Sequence, residues 1–301
     1  MTDYSYHKPV LLEESIDALN IKSDGIYVDA TFGGGGHSKE IIKHLTTGKL
    51  IAFDVDNDAQ KNVFDHKNLI FIKSNFSFIP NFLKYIEIEK VDGILADLGV
   101  SSHHFNSSER GFSYRFDGEL DMRMNQESDF SAKNIINEYK IEELYRIFKQ
   151  YGEINNCKCL VDNILKHRNQ NKINTINDLL SAINDCTPKH QEYKYLAKVF
   201  QALRIETNKE LDVLKYFLQN SQNIVKQDGR LVVITYHSLE DRLVKNYIKA
   251  GNFDGKVEQD LYGNILSPWK PIQNKVIIAD NEEIDENSRA RSAKLRIGIK
   301  K

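Results

Sequence analysis

"YVDATFGGGGHSKEIIKHL" (residues 27–45) sets four consecutive glycines between an apolar, strand-like run and a segment that places Ile41, Ile42 and Leu45 on one helical face. Strand, bare backbone and helix together make the corner at which an open α/β sheet receives a ligand. The pattern recurs around it. Segments 25–31, 48–56, 68–76 and 91–99 are short, nearly all apolar and polar-ended, as expected of strands covered on both faces. Their alternation with helical text predicts a parallel, doubly wound sheet.

The rhythm then breaks. The next strand, "GRLVVITYH" (229–237), comes only after residues 100–228, whereas neighbouring parallel strands need a crossover of little more than a dozen residues. The intervening text reads helical. "KNIINEYKIEELYRIFKQYG" (133–152) spaces Leu144, Ile147 and Phe148 helically and stops at Gly152. Thr175 and Asp178 have capping-box spacing, and Leu196, Val199, Phe200 and Leu203 form one stripe. The expected organisation is a sheet domain of residues 1–103 and 206–301 with an all-helical insertion at 104–205. Helix 210–226 would feed the strand at 229–237, and strands at 274–280 and 292–299 would complete the sheet.

Composition narrows the class. The chain has 301 residues, 41% hydrophobic and 28% charged, which fits a globular protein. A formal net charge of -2 gives no global case for nucleic acid, so any such case rests on local patches. No apolar run approaches the ~18 residues of a membrane span, and "MTDYSYHKPV" lacks the pattern of a secretion signal. A cytoplasmic enzyme or binding protein is expected. Cys157, Cys159 and Cys186 lack a zinc-like partner set and read as reduced structural thiols, with no metal expected.

The glycines do not fit the two commonest phosphate cradles. A phosphate loop requires Gly-x-x-x-x-Gly-Lys-Ser/Thr, and here the glycines continue into His37, Ser38 and Lys39. A dinucleotide fingerprint would place Ser38 or Lys39 at its third glycine. The acids discriminate further. Asp29, Asp54 and Asp97 end predicted strands on the ligand-binding edge. Carboxylates crowded there would repel a pyrophosphate, but they suit a ligand with a ribose diol, an amine and a positive charge. S-adenosylmethionine has all three, with Asp54 placed to take the ribose hydroxyls.

Seven blocks extend this reading. "HKPVLLEE" (7–14), "DATFGGGGHS" (29–38), "DGILADLGVSS" (92–102), "ERGFSYRFDGELDMRM" (109–124), "FQALRIETNKEL" (200–211), "YHSLEDRLVK" (236–245) and "SRARSAKLR" (288–296) stand in order along the chain. In them the chain resembles the RsmH (MraW) family, which methylates N4 of a cytosine in the decoding region of 16S ribosomal RNA. The resemblance implies a class I, Rossmann-like methyltransferase fold with a helical insertion that recognises RNA. It implies donor contacts at Gly35, Gly36, His37, Asp54, Phe76, Asp97 and His104, the last at a position that is often Gln in the family. Gly34 replaces a residue that is commonly larger.

Asp97 is the catalytic candidate, since an acceptor beside the target amine would turn it and disperse its developing positive charge. Asp97-Leu98-Gly99-Val100 has neither the prolines nor the aromatic that many amino-methyltransferases carry at this strand end, so a stacking surface must come from elsewhere. "ERGFSYRF" supplies aromatics and guanidiniums suited to a splayed base, or else a hydrophobic hinge. The family likeness favours Arg110, Phe112 and Arg123 as substrate contacts. His237 is a candidate base contact or a structural histidine, while Ser238 and Asp241 have capping-box spacing.

Local charge supports an RNA partner. Residues 288–301 carry six Lys/Arg and no acid, and 158–204 carry eight Lys/Arg against four acids. Expected partners are 16S ribosomal RNA and the small ribosomal subunit, with no membrane and with a homodimer left open. Two alternatives remain: a non-catalytic RNA-binding assembly factor that keeps a donor pocket, and a nicotinamide-dependent oxidoreductase.

Overall fold

The computed structural model describes residues 9–99, 110–272 and 275–301. They divide into two compact units, residues 1–99 with 211–301 and residues 100–210. The first holds one seven-stranded sheet. Its strands are β1 (Ile26–Asp29), β2 (Lys49–Asp54), β3 (Leu69–Lys73), β4 (Val91–Asp97), β5 (Val225–Thr235), β6 (Trp269–Pro271) and β7 (Lys294–Lys300). The order is β3-β2-β1-β4-β5-β7-β6. The pairs among β1 to β5 are parallel, and β7 runs antiparallel to both β5 and β6.

Register fixes the functional edge. Asp29 lies opposite Ala52 and Leu95, Asp54 opposite Lys73, and Asp97 opposite Ile234. The carboxyl ends of four adjacent strands therefore form one rim. Beneath it, Val28, Ile51, Ile94, Leu95, Leu231 and Val232 are fully buried. This explains why the strands read as continuous apolar runs rather than alternating ones.

The late strands differ from expectation. Of the strand expected at 274–280, the described residues 275–280 form none; Ile277 makes an isolated bridge to Leu295. The outer edge of β7 is taken instead by β6, which pairs Trp269 to Pro271 with Lys300 to Gly298. Pro271 lacks an N–H and is tolerated because β6 is an edge, and buried Trp269 fills the core below. β5 begins at Val225, earlier than its apolar run, with a register shift opposite Val91 and Gly93.

The second unit is helical in its described residues: Ala132–Glu138, Ile141–Gln150, Cys157–Arg168, Ile176–Ile183 and Glu192–Asn208. Leu144, Ile147, Phe148, Leu196, Val199, Phe200 and Leu203 share one core. The Thr175–Asp178 capping box is present, with Asp178 N–H donating to Thr175 Oγ1 at 3.1 Å. The segment 133–152 is two helices, because Lys140 N–H donates to the Glu143 carboxylate at 2.8 Å and starts a new helix.

Candidate active site

The glycine corner follows from sterics. After β1 the chain turns, and Gly33 (φ +51°) and Gly35 (φ +75°) adopt left-handed conformations that side-chain-bearing residues rarely adopt. A Cβ on Gly35 would lie 2.8 Å from the Phe32 ring, and one on Gly36 would lie 2.2 Å from the Pro9 side chain. The helix Gly36–Lys43 therefore starts where only bare backbone fits.

Asp29 holds this corner from inside. It is fully buried, and its oxygens accept from Thr31 N–H at 3.1 Å and Ser38 Oγ at 2.6 Å. Burial pushes its carboxyl up to about 6 against the pull of those donors. Asp29 thus ends β1 on the rim as expected, but its oxygens are engaged within the protein, where they tie β1 to the following helix. Asp54 also lies at the rim. Its oxygens accept from Gly33 N–H at 2.7 Å and Asp56 N–H at 2.9 Å.

Asp97 ends β4. Its backbone N–H donates to Thr31 Oγ1 at 2.7 Å, and its Oδ1 accepts from the Tyr236 hydroxyl at 2.7 Å. The side chain keeps 25% of its exposure, so it is not sealed in the core. Desolvation pushes this carboxyl up to about 7; the Tyr236 hydrogen bond pulls it down, and Asp29 and Glu240 push it up. His37 is buried, with Nε2 3.2 Å from Val10 O and Nδ1 4.0 Å from Asp97 Oδ2. Burial lowers its pKa to about 4. The ring is therefore neutral near pH 7, with its proton on Nε2 toward the carbonyl and its lone pair toward Asp97.

Phe76 follows β3, opens a short 3-10 turn and packs edge-on against Phe217 at 5.3 Å between centroids. His104 lies outside the described residues. His237 caps the helix Ser238–Ala250. Its Nδ1 accepts from Glu240 N–H at 3.5 Å, while the Glu240 carboxylate accepts from the N–H groups of Tyr236 and His237. The capping box is thus His237 with Glu240, one residue before the expected Ser238 with Asp241. Asp241 is used elsewhere, accepting from Arg296 at 2.6 Å and 3.2 Å and from Lys294 at 3.4 Å. The basic C-terminal segment is therefore partly internal, forming β7 inside the sheet rather than an exposed edge.

In the helical unit the expected substrate contacts Arg110, Phe112 and Arg123 make contacts within the unit itself. Phe112, 4% exposed, packs in the core with Leu120, Met122 and Leu203. Arg110 is equally buried; its Nη2 donates to Arg123 O at 3.0 Å and its guanidinium lies over the Phe112 ring. Arg123 grips Asp121 in two bonds, at 2.6 Å and 3.0 Å, and also donates to Ser128 O. Hydrogen bonding to Asp121 raises its pKa further. Along "FSYRF" exposure increases after the buried Phe112 and Ser113. Arg115 is exposed, Phe116 is 48% exposed, and half-buried Tyr114 packs against Tyr193, which is 76% exposed. Sequence reading did not single out Tyr193 or Tyr236. The only signal for Tyr236 was a polar-tipped ring at the end of an apolar strand.

A sheet in this order, with β7 reversed and its acceptor-lined corner at the carboxyl rim, defines an S-adenosylmethionine-dependent class I methyltransferase. The MraW methylase family model matches residues 4–301, and the chain belongs to that family. It is 55% identical over 297 residues to the ribosomal RNA small subunit methyltransferase H of Phocaeicola vulgatus, covering 98% of each chain. It is 52% identical over 300 residues to the protein of the same name from Flavobacterium johnsoniae, covering 99% of each. Among solved structures it is similar to a rRNA methylase from Streptococcus thermophilus, with a TM-score of 0.38, 13% identity and coverage of 95% and 94%. Among the described residues no helix is long and apolar enough to cross a membrane.

Proposed function

We propose that this chain transfers a methyl group from S-adenosylmethionine to N4 of a cytosine in the decoding (P-site) region of 16S ribosomal RNA, acting in the cytoplasm on the small subunit. The carrying observation is Asp97, whose partly exposed carboxyl stands at the end of β4 beside the bare-backbone corner, with Oδ1 held by Tyr236. The relatives, ribosomal RNA small subunit methyltransferases by name, support ribosomal RNA as substrate.

S-adenosylmethionine, when bound, supplies an electrophilic methyl on a sulfonium; the protein's task is to position and desolvate. Gly35 and Gly36 would admit the donor closely, Asp54 would accept its ribose hydroxyls, and Phe76 and His37 would stand beside it. Asp97 would accept a hydrogen bond from the target N4, turning its lone pair and stabilising the positive charge that grows on it. An ionised carboxylate does this best, so activity should rise as pH increases through about 7.

RNA recognition falls to the helical unit. Arg110, Phe112 and Arg123 support the segment that presents Tyr114, Arg115 and Phe116. With Tyr193 and the exposed Lys189, His190 and Lys194, these give stacking surfaces and positive charge on one unit. The test is incubation of labelled donor with small subunits from cells lacking the enzyme, followed by nucleoside analysis. Label on cytosine N4 is expected. Binding without transfer, or label on another atom, would overturn the proposal.

A further inference from the structure

We propose that Tyr236 is the positioning residue of the reaction centre: its hydroxyl holds Asp97 Oδ1 so that Oδ2 is turned to the methyl acceptor. This deepens the function proposed above and rests on reading Asp97 as the group that meets the target amine.

Tyr236 follows β5 directly, and β5 lies beside β4 with Asp97 opposite Ile234. Two residues past that register point, the ring reaches back across the rim. Its hydroxyl donates to Asp97 Oδ1 at 2.7 Å. Its own backbone N–H donates to Glu240 Oε2 at 3.0 Å, anchoring it to the start of the helix Ser238–Ala250. The ring also lies under the turn after β4, where Gly99 has φ +103° and a Cβ there would come within 3.3 Å of it. The side chain is thus fixed at backbone, ring and hydroxyl.

Its partner is fixed at one oxygen only. Among the described residues Oδ2 accepts no hydrogen bond; His37 Nδ1, 4.0 Å away, carries a lone pair rather than a proton. Without the hydroxyl, nothing described would set the carboxyl's rotation. The charged and titratable groups around the pair are Asp29 from β1, His37 from the helix Gly36–Lys43, Glu240 from the helix Ser238–Ala250, and Arg289 from the turn Ser288–Ser292. Burial and the neighbouring carboxylate raise the Tyr236 pKa well above its ordinary value, so the proton stays on the phenol and the hydroxyl remains a donor. Donation favours the ionised form of Asp97.

The experiment uses full-length protein and small subunits. In Tyr236→Phe, kcat should fall roughly tenfold to a hundredfold, the range for loss of one hydrogen bond to a charged group. Donor affinity by calorimetry should change less than about threefold. The acidic limb of the rate profile should move to higher pH, because the carboxylate has lost its donor. In an Asp97→Asn background the same substitution should add nothing. Should Tyr236→Phe unfold, 3-fluorotyrosine placed at 236 keeps the ring and sharpens the donor, and the limb should move to lower pH. A limb unmoved by either change, or additive losses in the double variant, would overturn the proposal. Full activity in Asp97→Asn alone would instead remove the reading of Asp97 beneath it.

Discussion

At the carboxyl rim of the sheet, burial pushes Asp29 up to about 6 and Asp97 up to about 7. In the helical unit, Glu206 is just as enclosed, yet its carboxyl is held below the ordinary range. Burial pushes it up, but Lys209, Tyr139 and Arg146 outweigh that. Arg123 and Asp121 satisfy each other in the same way. The helical unit pairs its buried charges, as a stable core should. The rim leaves Asp97 short of partners and keeps one oxygen open, which is the condition of a group reserved for a ligand. The two regions also sorted the sequence candidates: those at the rim gathered around one corner, while Arg110, Phe112 and Arg123 turned inward.

This contrast can be broken most strongly at Phe112. Phe112→Ala should cost about 3–5 kcal/mol of stability through the cavity it leaves in the helical core, read by chemical unfolding. A cost below about 1 kcal/mol would mean that the ring is not part of that core. Asp97→Asn should do the opposite. Methyl transfer should fall by about 10²–10³-fold, the loss seen when one preorganised electrostatic partner is removed. Stability should nevertheless rise at alkaline pH. The sign follows from the raised carboxyl: the folded state holds its proton more tightly than the unfolded, so the group's contribution is full below about pH 4 and is lost as pH rises toward 7. Thermal unfolding of variant and wild type at pH 4 and pH 8 checks this, with the larger gain expected at pH 8.

Gly35→Ala should come next, costing roughly 1–3 kcal/mol for a positive-φ residue pressed against Phe32 and weakening donor binding in calorimetry. The smallest effect belongs to Tyr193→Ala. Stability should stay within about 0.5 kcal/mol of wild type, as for most surface changes. RNA affinity should fall by about 1–3 kcal/mol if one base stacks there, measured by filter binding at fixed salt. Loss of stability without loss of affinity would move Tyr193 into the structural class with Phe112.

The sheet was legible because β1, β2, β3 and β4 are buried on both faces and bounded by polar residues, a pattern with few rival readings. The glycine corner was legible for a similar reason, since Gly35 and Gly36 sit where a Cβ would collide. β6 was hidden because Trp269 is flanked by prolines, and only the free edge of β7 gives so short a segment a place to pair. The family likeness named Arg110 and Phe112 without showing direction. Residues four apart in an irregular segment can face opposite ways, and only the packed core reveals that Phe112 is buried while Phe116 is exposed. Tyr236 escaped notice because its role depends on a neighbouring strand's register, which no single stretch of sequence displays.

The most direct test is a crystal structure of the protein with S-adenosylmethionine. The account predicts the ribose against Asp54, the chain of the donor over Gly35 and Gly36, and the methyl-bearing end beside Asp97 Oδ2. A donor lodged away from that corner, or one that leaves Asp97 untouched behind another side chain, would contradict it.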